Sequence, residues 1–228
     1  MNPASPSSTS SNSTHTEHLL AVFACLFITF LIVTKIVAEK YFLFIGAPVS
    51  CRAIIYPFTL LVIHVVTELY GPQQGSILIA HGLRISIIVS ILLWIARKLP
   101  IAADSPVSTA DFESVLGASL GVTISALVAY LAGQLLNLYL FVNAQNPFNT
   151  RSLWLRSMSA SLGAQLVDTF LLGTALYVLG ATLASKISLF NNMLGQYTLQ
   201  ALVTFFSTPF VHLSIALSRQ QMDYKTTQ

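Results

Sequence analysis

Long apolar stretches alternate with short polar breaks along almost the whole chain. Six stretches run over residues 19–44, 52–70, 75–96, 114–141, 152–183 and 196–217. A helix needs roughly 20 mostly apolar residues to cross a bilayer. The breaks carry turn chemistry: IGAPVS, GPQQG, KLPIAADSPVSTADFE, NAQNPFNTR and ASKISLFNN supply Gly, Pro, Asn and Ser. The pattern predicts an all-α integral membrane protein with six transmembrane helices. The fourth and fifth stretches are longer than a span requires, which tilt would accommodate. Every connection is short, so residues 19–217 read as a single transmembrane domain without an internal repeat.

Composition agrees. Of 228 residues, 54% are hydrophobic and 8% charged, and the mean hydropathy is +0.73. Soluble domains carry about 25% charged residues. The partner implied is the lipid bilayer. No basic run exists, so no nucleic acid is expected. Cys25 and Cys51 lack metal or redox spacing and read as small apolar packing residues. Residues 1–18 are rich in Ser and Thr, lack Lys and Arg, and are expected to be disordered. They have no positive n-region, so the apolar run that follows reads as the first span and not a signal peptide. Residues 218–228 form a short polar tail.

Six spans put both termini on one side, here side A. Arg151, Arg219 and Lys225 lie there; Lys40, Arg52, Arg97, Lys98 and Lys186 lie on side B. Five against three leans towards side B being cytoplasmic.

Polar residues inside the spans need a reason, because a charge at the bilayer centre costs about 2.5–3.5 kcal/mol on insertion scales. In the second span Pro57, His64 and Glu68 share one stripe, since steps of seven and four residues return to nearly the same helical angle. Pro57 removes a backbone donor and should kink the helix. Its bland alternative for Glu68 is a carboxylate reaching the headgroups. The third span carries His81 and Arg84. In the fourth, Tyr130, Gln134 and Asn137 share a face; in the sixth, Gln200, Thr204 and Ser207 do, followed by Pro209, a second kink position. The fifth span, LWLRSMSASLGAQLVDTFLLG, carries Arg156 one turn in, small residues suited to close packing, then Gln165 and a mid-span Asp168. By depth, Glu68, Gln134, Asn137, Arg84 and Arg156 fall in the side A half, with Asp168 just beyond. Two acids and two bases would neutralise one another around a shared polar cavity. Carboxylates, carboxamides and aromatic rings suit a flat, polar, nearly neutral heterocycle. His64 and Glu68 would make two metal ligands, but no third is evident, so neither a metal nor a cofactor is expected.

YPFTLLVIHVVTELYG, AYLAGQLLNLYLF and LWLRSMSASLGAQLVDT, with TPFVHL in the last span, resemble the queuosine precursor transporters, the YhhQ or VUT (vitamin uptake transporter) family. The order and spacing also fit, over nearly the whole chain after the tail. The resemblance implies a multi-pass importer of the bacterial inner (cytoplasmic) membrane that takes up a 7-deazaguanine such as preQ0, preQ1 or queuine for tRNA modification. It implies a helix arrangement similar to the substrate-binding components of energy-coupling-factor transporters, with the termini inside, against the local charge count. Matched by position, it nominates Glu68, Arg156, Gln165, Asp168 and Thr169. This chain departs from the family pattern where His64 and Asn137 replace acids and Gln200 replaces a lysine.

The leading expectation is uptake by this chain without an ATPase partner; a homo-oligomer is compatible with it. The expected substrate-binding residues are Glu68, Asp168, Gln165, Asn137, Gln134, Arg156 and His64. Glu68 and Asp168 would accept N–H bonds from the base, Gln165 and Asn137 would contact its carbonyl or ring nitrogens, and Arg156 would balance charge. His64 would titrate if protons drive transport. The alternative is a membrane subunit binding another small heterocyclic vitamin-like ligand for a separate ATP-driven module. No Gly-rich phosphate loop is present. No G-x-S-x-G exists either, and an enzyme is not expected.

Overall fold

The computed structural model describes residues 8–102, 104–117, 119–144, 153–180 and 186–226. Arg151, counted above on side A, and most of the break at 143–151 lie outside them. Six helices among the described residues are long and apolar enough to cross a membrane. The protein is a multi-pass helical membrane protein. Its elements are α1 (Ser8–Ile36), β1 (Tyr41–Phe44), β2 (Ala47–Ser50), α2 (Arg52–Tyr70), α3 (Pro72–Lys98), α4 (Thr109–Leu116), α5 (Leu120–Asn143), α6 (Leu153–Val178) and α7 (Lys186–Thr226).

Several boundaries differ from the sequence expectation: α7 starts at Lys186, inside the expected break ASKISLFNN, and runs through most of the expected polar tail to Thr226. The first helix starts at Ser8, inside the Ser/Thr-rich tail, and its apolar membrane-length part is Glu17–Ile36. It stops at Ile36 and not near residue 44, because Tyr41–Phe44 pairs antiparallel with Ala47–Ser50. A four-residue apolar run with aromatics suits a strand as well as a helix end, and periodicity cannot separate the two. Ile45 and Gly46 close this hairpin with φ of 50° and 79°, the two-residue turn whose twist matches paired strands. The polar break at 98–113 also contains structure. Ser108 accepts the Asp111 backbone N–H at 3.1 Å and starts α4.

The return from α2 to α3 needs a single residue. Gly71 sits at φ 87°, donates to Thr67 O at 3.0 Å, and Pro72 opens α3. Glycine past a helix end and proline at the next helix start are each what that position favours. Pro57 and Pro209 lie inside α2 and α7, and both helices continue on either side.

α2 is the central helix; α1, α3, α5, α6 and α7 all pack on it. It is buried nearly all round from Leu60 to Thr67. The outer faces are apolar: Ile88, Ile91 and Leu92 on α3 and Phe206, Phe210 and Leu213 on α7 are exposed, as lipid contact requires. The interior is polar. On α6 the buried positions are Arg156, Ser157, Ala160, Ser161, Ala164, Gln165, Asp168 and Thr169, one continuous stripe of small and polar side chains. Gly82 permits the tightest approach near α1, where a Cβ would come within 2.6 Å of Phe27 Cε1. The hairpin docks on α7 at the side B end through Ser50 N–H, which donates to Gln196 Oε1 at 3.1 Å.

Candidate functional site

The buried polar residues stack in layers along α2, α5, α6 and α7. At the side A end, Glu68 accepts from Arg156 Nη2 at 2.9 Å and from Arg219 Nη2 at 3.1 Å. The Arg156 guanidinium also lies 4.3 Å from the centre of the Phe141 ring, a favourable cation–aromatic geometry.

One layer deeper, His64 is fully buried and stacked on Phe141 at 4.2 Å. Its Nδ1 lies 2.7 Å from Ser157 Oγ and its Nε2 2.9 Å from Asn137 Oδ1. Asn137 Nδ2 donates to Leu60 O at 3.3 Å. The amide oxygen only accepts, so Nε2 carries the hydrogen and Ser157 donates to Nδ1. Ser157, His64, Asn137 and the Leu60 carbonyl form one hydrogen-bonded chain that occupies both ring nitrogens.

The next layers hold carboxamides that are only half satisfied. Gln134 Nε2 donates to Thr59 Oγ1 at 3.0 Å, and Gln165 Nε2 donates to Thr204 Oγ1 at 2.6 Å. Thr169 Oγ1 donates to Gln200 Oε1 at 3.2 Å. The other ends of these three amides, Gln134 Oε1, Gln165 Oε1 and Gln200 Nε2, are buried without a partner in the protein; so is Ser161 Oγ. Native structures hold few such groups, and each asks for an explanation. Two of these elements converge on α5 at Gly133. A Cβ there would meet Tyr56 Oη at 2.9 Å and Asp168 Cβ at 3.2 Å.

Asp168 is the deepest carboxylate, 1% exposed. Its Oδ2 accepts from Arg52 Nη2, and the Arg52 guanidinium stands 5.4 Å from the Tyr56 ring centre. Arg52 is the first residue of α2, directly after the hairpin. It reaches inward from the membrane edge, where sequence reading had counted it as a side B loop charge. Arg52 and Thr169 also line a cavity of about 790 Å³ that opens at the hairpin end. Glu39 and Tyr41 lie on its wall. Desolvation raises the Glu39 carboxyl pKa. It raises that of the Tyr41 phenol too, which the Glu39 charge raises further and Arg52 lowers.

Of the expected site residues, Gln165 and Asp168 share the buried stripe of α6, and Gln134 is buried on α5 next to Gly133, which packs on Asp168. Glu68 and Arg156 do not join them. Arg156 and Asp168 are twelve residues apart on α6, a rise of about 18 Å at 1.5 Å per residue. One bicyclic base cannot span both carboxylates at once. His64 and Asn137 sit between the two layers, bonded to each other. Arg84 and His81 are exposed on the outer face of α3, and Arg84 enters no ion pair among the described residues, so the expected four-charge cluster is two separate groups. The cation opposite Asp168 is Arg52. Arg52 and Tyr56 were not anticipated; their four-residue spacing before Pro57 was the available signal.

The family described as "Putative vitamin uptake transporter" matches residues 50–214. The chain belongs to this family. Its matched region runs from the end of β2 into α7 and contains both charged layers except Arg219. A protein of Bacillus subtilis (strain 168) named "Probable queuosine precursor transporter" is 26% identical over 149 residues, which cover 65% of this chain and 63% of that protein. No solved structure matches the chain.

Proposed function

We propose that this family member imports a queuosine precursor, a 7-deazaguanine such as preQ0, preQ1 or queuine, across the bacterial inner membrane for tRNA modification, without an ATP-driven partner. The observation that carries this reading is one buried carboxylate, Asp168, in a bundle interior whose carboxamides Gln134, Gln165 and Gln200 each keep an unpartnered end. A 7-deazaguanine offers adjacent N–H donors and a carbonyl acceptor. Asp168, Gln134 Oε1 and Gln165 Oε1 accept the donors; Gln200 Nε2 donates to the carbonyl; the Tyr56 ring supplies a flat apolar surface. His64 and Asn137 hold the layer beneath in register. Glu68, Arg156 and Arg219 close the side A end. With the termini inside, the cavity at the hairpin end faces outward, as uptake requires. The name of the Bacillus subtilis relative supports the substrate class.

The test is uptake in a bacterium that lacks its own importer and cannot synthesise the precursor. Each of the three compounds is supplied at nanomolar concentration and queuosine in tRNA is assayed. At least one should restore modification. A hydrogen bond to a charged group is worth about 1.5–3 kcal/mol, so Asp168→Asn should lower uptake roughly 10- to 150-fold with the protein still in the membrane. No rescue by any compound, or wild-type uptake by Asp168→Asn, would overturn the proposal.

A further inference from the structure

The residue that separates the cavity from Asp168 is a guanidinium. Arg52 lines the cavity with 15% of its side chain exposed, whereas the Asp168 side chain behind it is 2% exposed. Any solute that approaches Asp168 from the hairpin end meets Arg52 first.

The placement of Arg52 has a local cost. It is the first residue of α2, where the helix dipole disfavours a positive charge. The preceding Cys51 makes no side-chain cap. The Arg52 Nε is buried without an acceptor, so the pair leaves a buried guanidinium donor unused. Four polar atoms of the bundle interior, on Gln134, Ser161, Gln165 and Gln200, have no partner either. A purely structural ion pair would be expected to complete its surroundings; this one leaves them open.

The chemistry of the two candidates for Asp168 is alike. A guanidinium presents coplanar N–H donors to a carboxylate. The pyrimidinone edge of a 2-amino-7-deazapurine presents a ring N–H and an exocyclic N–H in the same plane and the same orientation. Both are flat, and the Tyr56 ring lies beside the guanidinium now. We propose that Arg52 is an internal competitor: its guanidinium occupies on Asp168 the place of the ligand's N–H edge, and it swings into the cavity when the ligand binds. This rests on the placement of the base at Asp168 argued above. Glu39 lines the cavity into which Arg52 moves and forms no ion pair among the described residues, so the displaced charge has a carboxylate to meet.

The test uses the purified full chain in lipid–detergent micelles, with 7-deazaguanine and guanidinium ion as probes. Affinity for 7-deazaguanine is measured for wild type, Arg52→Ala and Arg52→Gln; the Gln variant still donates to Asp168 and guards against a folding defect in the Ala variant. If Arg52 holds Asp168 nine-tenths of the time, removing it raises the competent fraction, and affinity should tighten about tenfold. Guanidinium at non-denaturing concentration should compete with 7-deazaguanine in Arg52→Ala and raise that variant's thermal midpoint. It should do neither when Asp168→Asn is added. Weaker or unchanged 7-deazaguanine binding in both Arg52 variants would overturn the proposal and make Arg52 a ligand contact or a structural tie. If no form binds 7-deazaguanine while guanidinium still stabilises Arg52→Ala through Asp168, the exchange site stands and the substrate reading fails. Absence of both responses overturns the exchange site as well.

Discussion

Glu68 forms two ion pairs of nearly equal length, and their surroundings predict very different strengths. Arg156 is 10% exposed, Arg219 55%, and Glu68 itself 21%. Exposed pairs contribute about 0–1 kcal/mol. Removing one partner of a fully buried pair costs about 3–5 kcal/mol. The Glu68–Arg156 pair lies between these limits, and Phe141 continues to hold the guanidinium when Glu68 is neutralised, by about 1 kcal/mol. Glu68→Gln should therefore destabilise the protein by about 2–3 kcal/mol. The assay is a double-mutant cycle on unfolding free energy in lipid–detergent micelles. Glu68→Gln and Arg156→Met should couple by about 2 kcal/mol, whereas Glu68→Gln and Arg219→Met should couple by less than about 0.5 kcal/mol. Equal couplings, or a larger one for Arg219, would refute the assignment of the inner pair as the closing contact. Uptake adds a second criterion. The Glu68→Gln/Arg156→Met double variant should transport better than Glu68→Gln alone, because it leaves no unpaired buried charge. Equal loss in both would mean that Glu68 touches the ligand.

Gly133→Ala places a methyl group against Tyr56 Oη and Asp168 Cβ; it should destabilise the protein by about 1–3 kcal/mol and reduce uptake, and an unchanged thermal midpoint would contradict the close approach of α2, α5 and α6. Ile45→Asn relieves a β-branched residue of a left-handed conformation at an 82% exposed position; it should raise stability by about 0.5–1 kcal/mol with uptake unchanged, and a loss would show that Ile45 packs on something. His64→Gln should leave the pH dependence of uptake as in wild type, because both ring nitrogens are held by neutral partners; a flattened profile would restore His64 as a proton carrier.

Hydropathy located all six spans because each helix carries a long, strongly apolar window. The α6 stripe was also legible: Arg156, Gln165 and Asp168 stand out in an apolar helix, and the small residues between them repeat every three or four positions. Arg52 was hidden because it begins its helix. Hydropathy assigns an end residue to the water, and nothing in the pattern records that a long side chain turns inward. Tyr56 and Thr59 were hidden because α2 is buried on every side, so no face of it is marked. Arg84 misled for the opposite reason. A cation in mid-span suggested the interior, whereas it lies on the outer face of α3. The hairpin was lost because Tyr41–Phe44 is apolar and short, a pattern that a span end shares.

The three departures from the family pattern become two once the structure is considered. His64 and Asn137, at positions where the resemblance implies acids, are hydrogen-bonded to each other at 2.9 Å. Two carboxyl groups in that geometry could not both ionise; they would share a proton, and only one charge would need balancing. Replacing them with a histidine and an asparagine therefore removes a single negative charge, not two. Gln200, where the resemblance implies a lysine, bonds Thr169 one layer away. Its neutrality removes a single positive charge. The changes cancel across adjacent layers of one polar axis, so the interior keeps its balance while its titrating pair is lost. On the proposed reading, a chain altered in this way still meets a flat neutral base at Asp168. On the same reading it lacks the carboxyl pair that the resemblance implies, through which protons would most readily couple to the movement of that base.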